Sequence, residues 1–255
     1  MLGLAQQVRA TSPLLATITV VDNGPWADKS GWNELDGSVV VHQSYLGAEQ
    51  AFVLGLKSAP SADWYLLLDH DADLHEMCLA TLLAAATDSD AVYSANQGGD
   101  GRAWNRGNGL ASEPMDLTTE TVAVDFAPWS GLLLNPRAAD IVKSQDSGYF
   151  FGWDDYLACW RLTHTGIQIW GVPGAVIGND RLDDWLAPWR AYYRARNHVL
   201  FHRETGFGDM ATLLRVRGKD LYGAFADRRL DRASAMTRGF MDGLMNRRGA
   251  RMVPL

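Results

Sequence analysis

The sequence predicts an α/β fold with a mostly parallel sheet flanked by helices. Two observations predict it. Short apolar or β-branched runs alternate with segments of helical spacing, the pattern of a sheet covered on both faces. Two of those runs also end in acidic residues, and sheets of this class bind ligands beyond the carboxyl ends of their strands. TITVV at 17–21 is a buried strand that ends in the turn signal Asp22-Asn23-Gly24-Pro25. SVVVH at 38–42 is the second strand. A helix over 47–58 places Ala48, Ala51, Phe52 and Leu56 on one side. WYLLL at 64–68 is a third strand, and 76–86 a helix. AVYSA at 91–95 is a fourth strand.

The later elements follow the same logic. Residues 2–10 carry the spacing of a short amphipathic helix, and 98–117 are a Gly-rich polar loop. Strand resumes over 122–126, and a second apolar run, 127–134, passes through Trp129, Ser130 and Gly131. Residues 149–162 begin aromatic and continue as a helix. A strand over 167–172 and a helix over 189–202 complete a first domain at 1–205, and 206–255 form a helical C-terminal extension.

Composition sets the outer bounds. The 255 residues are 47% hydrophobic and 21% charged, as in soluble globular chains. A net charge of −7 disfavours bulk nucleic-acid binding. Arginine nevertheless dominates from Arg203 onward, which is either a solvated helix face or a patch for peripheral contact with anionic headgroups. Cys78 and Cys159 give no disulfide framework, so a reducing, cytoplasmic setting fits. No apolar run approaches the ~20 residues of a membrane span, and polar Gln6, Gln7 and Arg9 do not read as a signal peptide.

The chemistry concentrates in three places. In LLLDHDADLHEM, 66–77, Asp69 and Asp71 follow a buried strand and can reach one hard cation together. A turn whose carboxylates bond local NH groups is the plainer reading. His70 is a spacer there, and Asp73, His75 and Glu76 open the next helix, where acids suit the dipole. In Trp153-Asp154-Asp155, a carboxylate can serve as general base or as a helix cap. In WRAYYRARN, 189–197, Arg190, Arg194 and Arg196 with Tyr192, Tyr193 and Asn197 make a polar-aromatic face suited to a diphosphate, or a surface helix with stacked rings.

Together these segments resemble inverting family 2 glycosyltransferases of the GT-A, Rossmann-like fold, above all bacterial galactofuranosyl- and rhamnosyltransferases. The resemblance is carried, in the family's order, by ITVVDNGP (18–25), YLGAEQAFVLGL (45–56), ADWYLLLDHDADL (62–74), DFAPWSGLLLNPR (125–137), YFFGWDDYLACWRLTHTGIQIWGVPGAV (149–176) and the downstream helix WRAYYRARN. It implies that Asp22 and Asn23 contact the nucleotide. It implies that Asp69 and Asp71 bind Mn²⁺ or Mg²⁺ and the diphosphate, and that Trp129 and Trp153 wall the sugar. Arg194 would meet the nucleotide, Asp155 would deprotonate the acceptor hydroxyl and Asp154 would orient the acceptor. The family's usual first strand has no counterpart here. The family's loop usually carries Asn at the places of Tyr45 and Val53. The metal-ligand His after VPGAV is replaced near its place by Asn179 or Asp180, of which Asp180 is the better ligand.

The implied activity is transfer, with inversion, from a nucleotide-activated sugar, UDP-galactofuranose or dTDP-rhamnose favoured. The acceptor would be a glycan or polyprenyl-linked glycolipid of cell-wall or surface polysaccharide synthesis, at the cytoplasmic membrane face. Two other readings stay open: a non-catalytic nucleotide-sugar or glycan-binding relative, and a metal-dependent phosphohydrolase built on Asp69, His70, Asp71 and His75.

Overall fold

A computed structural model describes residues 17–23, 38–42, 47–98, 104, 120–179 and 187–252. The expected helix at 2–10, most of the loop at 98–117 and Asp180 lie outside them. The described residues form eight strands and seven helices, grouped in two compact units. The first unit takes residues 17–23, 38–42, 51–98, 104, 120–145 and 158–179; the second takes 47–50, 146–157 and 187–252.

In the first unit, β1 (Ile18–Asp22) pairs in parallel with β2 (Ser38–His42), so Asp22 stands level with His42 at the carboxyl ends. A second sheet holds β3 (Tyr65–Leu67), β4 (Ala72–Leu74), β5 (Val92–Gln97), β6 (Val122–Val124), β7 (Leu132–Leu134) and β8 (Ile169–Asn179). Its order is β3-β7-β5-β8-β4, with β6 also on β8. The α/β class and the GT-A-like architecture hold. Strand direction differs from expectation: β5 and β8 are parallel, whereas β7 runs against β3 and β5, and β4 and β6 run against β8. The sheet is therefore mixed. β4 follows β3 with no helix between them, yet it pairs with β8 at the other end of the strand order, while β3 pairs with β7.

β4 is the main surprise at element level. Residues 73–76 do not open a helix. Ala72 and Leu74 are buried and Asp73 is exposed, the alternation of a half-buried strand, and the segment pairs with Gly178 and its neighbours on β8. The helix α2 begins only at Cys78 (Cys78–Ala85), with no acidic residue in its first turn. β8 also runs past its expected end at 172. It carries Pro173 through a register shift opposite Ala95 and Asn96, the kind of irregularity at which a strand tolerates proline.

The sheet core is built from Leu74, Cys78, Leu82, Tyr93, Leu133 and Ile177, all buried. α1 (Ala48–Ser58) buries Val53 and Leu56. α3 (Pro136–Lys143), absent from the sequence-based reading, begins where Asn135 accepts a hydrogen bond from the Ala138 N–H at 2.7 Å and Pro136 takes the first helical position.

The second unit is helical: the first turns of α4 (Asp154–His164), then α5 (Pro188–Thr205), α6 (Met210–Ala226) and α7 (Leu230–Leu244). α5 and α7 meet through small residues, Ala191 and Ala195 against Ala233. A Cβ at Gly239 would stand 2.2 Å from the Tyr192 carbonyl oxygen, so the two backbones meet where no larger residue fits.

Candidate functional site

The Asp69–Asp71 turn is fixed by backbone bonds. The Ala72 N–H donates to the Asp69 carbonyl at 3.2 Å, closing the turn tightly after β3. The Asp69 N–H donates to the Ser130 Oγ at 3.1 Å, and Gln97 donates to the Ser130 carbonyl at 3.0 Å. Next in the chain, the Gly131 N–H reaches the Leu67 carbonyl at 2.8 Å with φ +89°. A Cβ there would sit 2.7 Å from Ile177 and 2.8 Å from Ala95, so only glycine lets the two turns close. Asp69 and Asp71 are half-buried and His70 is exposed. The two acids thus share one braced turn, and their oxygens suit a hard divalent cation. Among the described residues, no three His, Cys, Asp or Glu side chains group closely enough to hold a metal by themselves. Phosphate oxygens, water or a side chain outside the described residues would complete the shell of an ion held here.

In the same unit, Asp22 is buried at the end of β1 and Asn23 is half-buried beside it. Trp129 is only 6% exposed and stacks on Phe52 at 5.3 Å.

In the second unit, Trp153-Asp154-Asp155 opens α4 after a loop of unusual backbone. Gly148, Phe150, Gly152 and Trp153 all have φ between +65° and +72°. Such conformations persist only where neighbours hold them. Glu49, 1% exposed, accepts from the Ser147 N–H at 2.9 Å and its hydroxyl at 2.6 Å. Asn197 Nδ2 donates to the carbonyls of Tyr149, Phe151 and Gly152 at 2.8–2.9 Å. Arg196, fully buried, donates to the carbonyls of Gly148, Tyr149 and Gly249. The guanidinium also lies 4.7 Å from the Tyr193 ring.

This divides the face expected on WRAYYRARN. Arg196, Asn197, Tyr192 and Tyr193 are buried scaffolding, not a ligand surface. Tyr192 donates to Asp242 at 2.6 Å, and the Tyr193 hydroxyl accepts from the N–H groups of Arg251 and Met252. Arg194 is exposed, and Arg190 lies over the rings of Phe151 and Trp189.

Asp154 is buried and Asp155 is half-buried. Burial, with the neighbouring Asp154 charge adding to it, pushes the Asp155 carboxyl up to about 7. The Tyr156 N–H, bonded to it at 2.8 Å, pulls weakly the other way. Trp153 is half-buried, and its indole stacks on His198 at 4.2 Å and 10°. Burial, then the charges of Arg217, His202 and Arg194, hold His198 down at about 3. It is therefore a neutral ring at any physiological pH, and among the described residues its Nδ1 finds no hydrogen-bond partner. The sequence offered no signal for this histidine beyond a place on a helix. The structure makes it the plate against which Trp153 is set.

Chemically, the first unit presents two carboxylates on one turn, and the second a carboxylate poised near neutrality. The fold that carries them is an α/β fold of the GT-A type. Within that class the chain is similar to a solved structure of GalNAc-T7 with UDP, GalNAc and Mn²⁺, at TM-score 0.55 and 15% identity, over 80% of this chain. The match covers 48% of that protein, about half its length. No protein-family model and no curated protein sequence matches the chain.

Proposed function

We propose that this chain is a glycosyltransferase that moves a sugar from a nucleotide-activated donor to a hydroxyl acceptor, with inversion. The observation that carries the reading is the braced Asp69–Asp71 turn at the end of β3, in a sheet of the GT-A type. The neighbour with UDP and Mn²⁺ supports a nucleotide-linked donor and a divalent ion. UDP-galactofuranose and dTDP-rhamnose are the favoured donors, and a glycan or polyprenyl-linked glycolipid of surface polysaccharide synthesis the favoured acceptor.

Asp69 and Asp71 would hold Mn²⁺ or Mg²⁺, with Asp180 a further candidate ligand. The bound cation supplies positive charge against the leaving nucleoside diphosphate. Asp22 and Asn23 would contact the nucleotide, and Arg194 its phosphates. Asp155 takes the proton from the acceptor hydroxyl, so the oxygen attacks the anomeric carbon from the side opposite the leaving group and the configuration inverts. Burial, with the Asp154 charge adding to it, keeps the Asp155 proton affinity high enough for that task, and Asp154 would orient the acceptor. Trp153, set against His198, offers an aromatic edge to a sugar.

A thermal-shift panel of UDP- and dTDP-sugars with and without Mn²⁺ tests the reading. A stabilisation specific to one donor and dependent on the metal is expected. No metal-dependent shift with any nucleotide sugar would leave a non-catalytic role. Phosphate release from a simple phosphomonoester would point to a phosphohydrolase instead.

A further inference from the structure

The last two helices carry an exposed apolar face that neither the transferase reading nor the core explains. α6 buries Leu213, Arg217 and Ala224. On another side of that helix, residues 214, 218, 222 and 225 recur at steps of four, four and three, a single helical stripe. Leu214 is 51%, Tyr222 76% and Phe225 54% exposed. Arg215 and Lys219, both exposed, border it. The stripe continues into a groove of about 500 Å³ whose walls are Phe225, Leu230 and Ala233 and whose lining includes Ser234, Thr237 and Arg238. Leu230 is 64% exposed, and Met241 and Leu244 extend the apolar surface along α7. A large aromatic surface held open to water is costly unless something covers it.

Charge says what covers it. From 215 to 238, along α6 and into α7, the chain carries seven Arg and Lys against three Asp, a surplus of four, although the whole molecule is −7. A cationic rim around aromatic and aliphatic side chains is the composition that settles at a lipid headgroup boundary. No described helix is long and apolar enough to cross a membrane. We infer that the α6–α7 face docks flat on an anionic lipid bilayer. Leu214, Tyr222, Phe225 and Leu230 enter the interface, and Arg215, Lys219 and Arg238 meet the headgroups. This does not depend on the sugar-transfer reading.

Co-sedimentation of the full chain tests it. Two vesicle types serve, phosphatidylcholine alone and phosphatidylcholine with phosphatidylglycerol in equal parts. Binding is expected only to the anionic vesicles, and it should fall away as salt approaches about 1 M, where the Debye length is about 3 Å. Tyr222→Asp with Phe225→Asp should lower partitioning at least about tenfold. Arg215→Glu with Lys219→Glu should weaken it and flatten its salt dependence. These positions are exposed, so the melting curves of both variants should overlay the parent's. Failure to bind anionic vesicles overturns the inference, as does binding that survives both double substitutions. A dimer in light scattering that Tyr222→Asp with Phe225→Asp dissolves would assign the face to self-association and overturn it too.

Discussion

A carboxyl that keeps its proton until about pH 7 is a poor base in acid and an effective one above neutrality. For Asp155 this gives a specific pH profile. Transfer should rise about tenfold per pH unit below about 7 and then level off. Asp155→Asn should abolish transfer while nucleotide binding persists, and turnover near that of the parent would remove Asp155 from the role of base. Stability carries the opposite slope. The folded-state value lies above the roughly 3.9 of an unfolded Asp, so between about pH 4 and 7 the folded chain binds the proton more tightly, and stability falls as pH rises through that window. Asp155→Asn should flatten that fall in melts taken across the window. Trp153-Asp154-Asp155 was legible in the sequence as an acidic helix start. The raised proton affinity was not, because much of it comes from burial, and burial depends on packing that spacing along the chain does not encode.

Elements show the same division. Strands were found where β-branched or apolar residues ran together, as at 18–22 and 92–97; β5 is buried on both faces, whereas β1 is half-buried along most of its length. β4 escaped because three residues are too short for a period, and its strand character comes from pairing with β8. α3 announced itself in Asn135-Pro136, a cap followed by a first-turn proline, which an apolar count passes over. WRAYYRARN was read correctly as a helix and incorrectly as a surface, since polar side chains that serve buried carbonyls look like polar side chains that serve water. Asn197 gives the measurable consequence. Asn197→Ala removes the donors for three carbonyls of the 149–152 segment. The Tyr149 carbonyl keeps Arg196 and the Phe151 N–H, so the loss at the Phe151 and Gly152 carbonyls should cost about 1–3 kcal/mol, read as a lower urea midpoint with unchanged slope. A loss under about 0.5 kcal/mol, the size of an ordinary surface change, would mean that the strained loop is held by Arg196 and Glu49 alone.

At the scale of the whole molecule, global stability reports on binding at one turn. Six loose motifs in a fixed order were enough to reach the GT-A class, because order along the chain constrains topology more than any single motif does. The turn that the reading singled out, Asp69 to Asp71, is joined to its neighbour by the Asp69 N–H, which donates to the Ser130 Oγ, and β3 before it is held by the Gly131 N–H, which donates to the Leu67 carbonyl. Those main-chain bonds persist when both acids are replaced, so the fold should survive the change. Asp69→Ala with Asp71→Ala should melt within a degree or two of the parent in the absence of ligand, as half-buried turn positions do. With Mn²⁺ and the preferred nucleotide sugar at about a hundred times the dissociation constant, the parent should gain about 2.7 kcal/mol, or roughly 5–10 °C in a chain of this size. The double variant should gain nothing that depends on the metal. If it still shows the full metal-dependent shift, the cation is held elsewhere, and the acids of this turn are only its local hydrogen-bond acceptors.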